Sequence, residues 1–213
     1  MSIIHWPFDK WMENVALAAL SSKQTLQATY DLARAAIRSG VPGDFVECGV
    51  FGGAQCAVMA RALMLSAQNG EPITRRVHLF DSFAGVPAPG EHDIEWKASE
   101  HPEGVSICTL EGVKQHMVEW GIPDELLVYH RGLFAEPIPV AWVDKMSIDK
   151  IALLRLDGDL YESTKVCTER LYPLVSPGGW VIVDDFSLSG ARKAYLESIN
   201  GESGPAYFCK QPL

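Results

Sequence analysis

The chain has 213 residues, 47% of them hydrophobic and 21% charged, and a formal net charge of −9. A chain of this length fits one domain whose core is large enough to fold without disulfide or metal staples. The acidic balance, without a basic tract, opposes nucleic-acid binding, and no apolar run approaches the ~18 residues of a membrane helix. Neither nucleic acid nor a membrane is therefore an expected partner. Residues 1–7 lack a basic segment leading into an apolar core, so no signal peptide is expected and a cytoplasmic location is. The five cysteines, Cys48, Cys56, Cys108, Cys167 and Cys209, are odd in number and form no CxxC pair. They read as small apolar side chains rather than as a zinc site or a disulfide framework.

Apolar spacing predicts a first helix from Trp11 to Ser39, ended by Gly40-Val41-Pro42-Gly43. Residues 44–49 read as a buried strand, followed by a turn carrying Gly49, Gly52 and Gly53 and a helix over 54–66. A second strand covers 76–81. A loop rich in Pro, Gly, Glu and His then runs to about Gly104, a helix covers 110–120 and a short strand 127–130. The second half repeats the alternation: strand 151–156, helix 162–174, strand 180–183, helix 190–199 and a last strand 206–209. Alternating strands and helices imply a parallel sheet covered on both faces, whose ligands bind at the carboxyl ends of the strands.

That rule gives weight to the acidic residues, because Glu47, Asp81, Asp157 and the Asp184-Asp185 pair sit in or just after four of the strands. Gathered on one rim, they would mark a site. The Glu47–Gly53 turn lets a ligand approach the backbone closely, although it lacks a GxGxxG pattern. Asp81, ending the second strand, can accept hydrogen bonds from both hydroxyls of a ribose. Asp157 and Asp159 flank Gly158, and Asp184 and Asp185 follow the neighbouring strand. Unpaired carboxylates this close repel one another, and a hard divalent cation such as magnesium removes that cost. The alternative is that Asp159 and Asp185 are solvated caps of the helices that follow.

The chain resembles the macrocin O-methyltransferase family. The resemblance lies in VPGDFVECGVFGGA (41–54), HLFDSFAGVP (78–87), RGLFAEPIP (131–139), LRLDGDLYEST (154–164) and LYPLVSPGGWVIVDDF (171–186), with GARKAYLE (190–197) a weaker match. It implies a single-domain α/β fold of the class I methyltransferase, Rossmann-like type. In that fold a mostly parallel sheet of order 3-2-1-4-5 is flanked by helices, and 206–209 closes one edge as an antiparallel strand. It implies S-adenosylmethionine around Glu47, Gly49, Gly52, Asp81, Ser82, Phe83 and Gly132, a magnesium ion on Asp157, Asp184 and Asp185, and Asp159 as general base. Residues 1–40 would be a helical segment contributing to the acceptor site and 41–213 the cofactor-binding domain. The acceptor would be a small-molecule hydroxyl, in particular one on a sugar of a glycosylated natural product, and a homo-oligomer is compatible with the resemblance. Two stretches depart from the family pattern: the segment before Asp44 is short, and 199–213 has room for one strand where related folds usually have two.

Three other readings compete. A catechol-type methyltransferase would use the same metal logic on an aromatic diol. A nicotinamide-dependent dehydrogenase is opposed by the missing GxGxxG and by the acidic rim. A non-catalytic binding protein is opposed by the full set of four costly aspartates.

Overall fold

The computed structural model describes residues 6–70, 72–96, 103–134 and 148–199, together with the backbone of 207–209. The chain opens with two helices, α1 (Phe8–Ala16) and α2 (Lys23–Arg38), where apolar spacing predicts one. The break has a local cause. Ser22 adopts an extended backbone and its hydroxyl accepts from the Thr25 amide, so its side chain starts a new helix instead of continuing the old one. β1 (Asp44–Cys48), α3 (Ala54–Gln68), β2 (Val77–Asp81), α4 (Leu110–Glu119) and β3 (Leu127–Arg131) follow. The second half supplies β4 (Ile151–Leu156), α5 (Tyr161–Leu171), β5 (Val175–Val183), α6 (Ser189–Ser198) and β6 (Tyr207–Cys209). α5 stops three residues before the expected Leu174. The chain tightens there into a 3₁₀ turn over Tyr172–Leu174, since Pro173 has no amide to donate to the helix.

One six-stranded sheet has the order β3-β2-β1-β4-β5-β6. The first five strands run parallel, and β6 pairs antiparallel with β5, Val181 opposite Phe208. The expected edge strand is present, although Ala206 lies outside the described residues. β5 begins five residues earlier than Trp180; a register irregularity between Ile151 and Leu153 of β4 accommodates its Pro177-Gly178-Gly179 stretch. Every residue of β4 is buried, as expected for a central parallel strand with helices on both faces.

Alternation sorts the strand side chains into two cores. Phe45, Val77, Leu79 and Leu153 join the layer of α1, α2, α3 and α4, and Val46, Phe80, Leu154 and Val181 join that of α5 and α6. Cys48, Cys56 and Cys167 are buried and Cys108 half-buried. Among the described residues no helix is long and apolar enough to cross a membrane.

A polar chain crosses β1, β2 and β3. His78 is buried, its Nε2 3.1 Å from Asp44 Oδ2 and its Nδ1 2.9 Å from His130 Nε2. His130 stacks on Phe80 with ring centroids 4.1 Å apart. Burial, and next the neighbouring His78, pushes His130 from its ordinary 6.5 down to about 4. Between those values the unfolded chain holds the proton and the folded chain does not, so stability falls as pH drops through 6.5 towards 4. Urea unfolding across that window is expected to show a steeper decline for the native chain than for His130→Gln, by up to about 1.4 kcal/mol per pH unit. Equal slopes would contradict this.

Candidate active site

The parallel ladder continues one hydrogen bond past each strand end. Gly49 donates to Phe80 O, Gly132 to Asp81 O, Asp157 to Cys48 O and Asp184 to Leu156 O, all at 2.8–2.9 Å. The residues that end β1, β2, β4 and β5 therefore reach the same rim. There they face one cavity of about 240 Å³, which lies where the strand order reverses.

Of the residues expected in the site, Glu47, Gly49, Gly52, Asp81, Ser82, Gly132, Asp157, Asp159, Asp184 and Asp185 all line this cavity. Phe83 does not: its ring is buried in the core, while its amide donates to Asp81 Oδ1 at 2.7 Å. Asp81 is the hub of the β1 turn. Its Oδ2 accepts from the amides of Val50 (2.6 Å) and Phe51 (3.3 Å), and Ser82 Oγ reaches Oδ1 at 3.5 Å. The carboxylate thus fastens two cavity-lining loops together.

Gly49 lies against the opposite wall. Its φ is +90°, and a Cβ placed on it would overlap the carbonyl oxygen of Asp157. The β1 turn and the acidic β4 turn are packed backbone to backbone, which only glycine permits here.

The acidic half is crowded. Ligand oxygens of Asp157, Asp184 and Asp185 lie within 4.8 Å of one another. Asp159 follows Gly158 in a left-handed conformation, φ +59°, and its amide donates to Asp185 Oδ2 at 2.9 Å. Burial, then the charges of Asp157 and Asp184, pushes the Asp159 carboxyl up to about 7. Burial also dominates the rise of Asp157 and Asp185, each to about 7.

The helix-cap alternative fails on inspection of the caps. The first amide of α5, Tyr161 N, donates to Asp93 Oδ1 at 2.7 Å. That of α6, Ser189 N, lies 3.3 Å from both oxygens of Glu95. Asp93 also accepts from Gly90 N at 2.8 Å, and it packs so closely on Gly190 that a Cβ there would strike Asp93 Oδ1. The loop after β2 is thereby pinned across the two helices that follow the acidic turns, which leaves Asp159 and Asp185 free of capping duty.

The cavity has further contributors that no local motif marks. The link between α1 and α2 brings Ala18, Ala19, Leu20 and Ser21 to the cavity, held by a hydrogen bond from Gln55 Nε2 to Ser21 Oγ (2.8 Å). The pinned loop adds Gly85, Val86 and Pro87, and the stretch after β3 adds Leu133 and Phe134. Beneath the rim lies Arg155 of β4, fully buried, which donates to Glu47, Asp157 and Asp184. Glu47 itself is buried. Its Oε1 accepts from Arg155 Nε at 3.1 Å and its Oε2 accepts from the Cys56 thiol at 2.7 Å. Burial pushes its carboxyl up to about 8 against the pull of Arg155.

A sheet in this order, reversed at β1 and β4 and opening its cavity over the strand ends, has the class I methyltransferase fold. The solved structure of the O-methyltransferase NovP superposes with a TM-score of 0.77 at 30% identity, over 92% of this chain and 83% of that one. The chain belongs to the macrocin-O-methyltransferase (TylF) family, whose model matches residues 11–201. It is 37% identical over 162 residues to an 8-demethyl-8-(2,3-dimethoxy-alpha-L-rhamnosyl)-tetracenomycin-C 4'-O-methyltransferase of Streptomyces olivaceus, covering 74% of this chain and 58% of that protein. It is 33% identical over 167 residues to a mycinamicin III 3''-O-methyltransferase of Micromonospora griseorubida, covering 76% of this chain and 62% of that protein. The matched stretches thus span about three-fifths of the length of these curated relatives. The calicheamicin methyltransferase CalS11, at 21% identity and a TM-score of 0.69, shares the fold.

Gly49 and Gly70 separate backbone strain from overlap, because their φ values are +90° and +89° but Gly70 has nothing within 4 Å of an added Cβ. In urea unfolding, Gly70→Ala is expected to cost about 1 kcal/mol and Gly49→Ala about 3 kcal/mol or more. Equal costs would remove the close packing of the two turns.

Proposed function

We propose that the chain transfers a methyl group from S-adenosylmethionine to a hydroxyl of a small glycosylated acceptor, with a magnesium ion assisting. The observation that carries the reading is the single cavity that has the glycine turn and Asp81 on one side and Asp157, Asp159, Asp184 and Asp185 on the other. Family membership supports the reaction, and the rhamnosyl group in one relative's name supports a sugar acceptor.

Asp157, Asp184 and Asp185 fit a hard cation, since their oxygens converge within 4.8 Å and carboxylate is the donor such ions prefer. When bound, the ion would supply the positive charge that makes an acceptor hydroxyl easier to deprotonate. Asp159 takes the hydroxyl proton. The acceptor oxygen then attacks the sulfonium methyl, its carbon–sulfur bond breaks, and a methyl ether and S-adenosylhomocysteine result. Asp159 suits this task because it lines the same cavity beside the three proposed ligands, its amide held by Asp185 Oδ2, without being one of them. Asp81, through the amides it gathers at Val50 and Phe51, sets the shape of the turn against which the cofactor lies.

The cavity lining also bears on the acceptor. Among the described residues it includes six carboxylates, Glu47, Asp81, Asp157, Asp159, Asp184 and Asp185, and no lysine, arginine or histidine. A sugar still carrying a nucleoside diphosphate finds no basic side chain there to pair with its phosphates, and an uncharged glycoside needs none. Leu20, Val86, Pro87, Leu133 and Phe134 offer apolar surface to the rest of such a molecule, and the Ala18–Ser21 link gives the N-terminal segment its part in the acceptor site.

The test is transfer from labelled S-adenosylmethionine to three acceptors: a rhamnosylated polyketide, a nucleoside-diphosphate rhamnose and a catechol. The glycoside is expected to be the preferred substrate; preference for the catechol or the sugar nucleotide would overturn the acceptor reading. Asp159→Asn is expected to lose about 10²–10⁴-fold in turnover while still binding the metal. Asp157→Asn is expected to lose metal affinity and to recover activity in part at high magnesium. An active Asp159→Asn variant would remove its role as base.

A further inference from the structure

Arg155 is the only charged residue of β4, and its side chain is completely buried. Its guanidinium spans three strands: Nε donates to Glu47 of β1 at 3.1 Å, and Nη2 donates to Asp157 after β4 and Asp184 after β5, each at 2.7 Å. The two aspartates each give it one oxygen, Asp157 Oδ2 and Asp184 Oδ1, so each keeps a second oxygen uncommitted to it. A planar fork of fixed donors can hold three carboxylates at once; an ammonium on a flexible stem cannot fix their mutual angles in the same way. The acidic cluster therefore contains a cation of its own, supplied by the chain.

We propose that Arg155 is a positioning residue and resident counter-cation. It holds Asp157 and Asp184 together before any metal ion arrives, and by sharing their charge it weakens the hold of the cluster on that ion. This rests on the metal reading given above. Two consequences follow from charge alone. The apo-protein folds with its cluster formed, because the guanidinium already offsets part of the repulsion. And the site binds a divalent ion less tightly than the same carboxylates would without Arg155, since affinity rises with the uncompensated negative charge of the ligands.

The experiment titrates Mn2+ into the metal-free full chain, with the free ion read by electron paramagnetic resonance. The chains compared are the native protein, Arg155→Lys and the double variant Glu47→Gln/Arg155→Met. The double variant removes the buried pair together, because deleting the arginine alone would leave Glu47 Oε1 without its buried donor. The double variant is expected to bind Mn2+ about tenfold or more tightly than the native chain. Arg155→Lys, which keeps the charge, is expected to stay within about threefold in affinity. A purely structural role would lower affinity and turnover together.

In a double variant that folds without the ion, unchanged or weaker Mn2+ binding overturns the proposal. If the double variant folds only when Mn2+ is present, the ion has replaced the guanidinium and the proposal stands. If it folds under neither condition, the ion cannot do what Arg155 does and the proposal fails. A native chain that binds no Mn2+ at millimolar concentration overturns the metal reading itself, which distinguishes that failure from failure of the Arg155 assignment.

Discussion

Carboxylates crowded at one rim of a sheet repel one another, and the rest of this structure is arranged around that repulsion. Asp157, Asp184 and Asp185 bring oxygens within 4.8 Å, and Asp159 is drawn in beside them by the hydrogen bond its amide donates to Asp185. Burial, reinforced by neighbouring charge, pushes the carboxyls of Asp157, Asp159 and Asp185 upward. One guanidinium offsets part of the repulsion from below. A divalent ion on the cavity side, as proposed, would complete the balance.

The fold keeps this cluster in place through rigid parts. Backbone ladders carry Asp157 and Asp184 one bond beyond their strands, so the positions of these two are set by the sheet. The glycine turn is pressed onto the acidic turn at Gly49, which makes the two halves of the cavity one body. The loop after β2 is tied to the starts of α5 and α6 by Asp93 and Glu95, so its wall of the cavity is referenced to the same two turns. Catalysis by positioning depends on such shared references, since small displacements of reacting groups are costly.

Much of this is legible in the sequence because acids that follow buried strands have a fixed address in a parallel sheet. Glu47, Asp81, Asp157, Asp159, Asp184 and Asp185 reach the rim for that reason alone. Arg155 is harder to read, being a single charge inside an apolar run. A signal was nevertheless present: Glu47 and Arg155 are opposite charges in two strands that must both be buried, and they prove to be register partners. The division at Ser22 is masked by apolar spacing that continues across it. The caps supplied by Asp93 and Glu95 come from 68 and 94 residues away, and no local pattern encodes a bond of that length. Phe83 shows the opposite limit, since a residue beside the ligand loop in sequence can still turn its ring into the core.

The central claim is that this acidic rim works as a cation-assisted methyl-transfer site. The most direct measurement is methyl transfer from S-adenosylmethionine to a rhamnosylated acceptor by protein stripped with chelator, before and after magnesium is restored. The account predicts that transfer is lost on stripping and returns with magnesium while the fold, followed by circular dichroism, stays intact throughout. Undiminished transfer in excess chelator would contradict it.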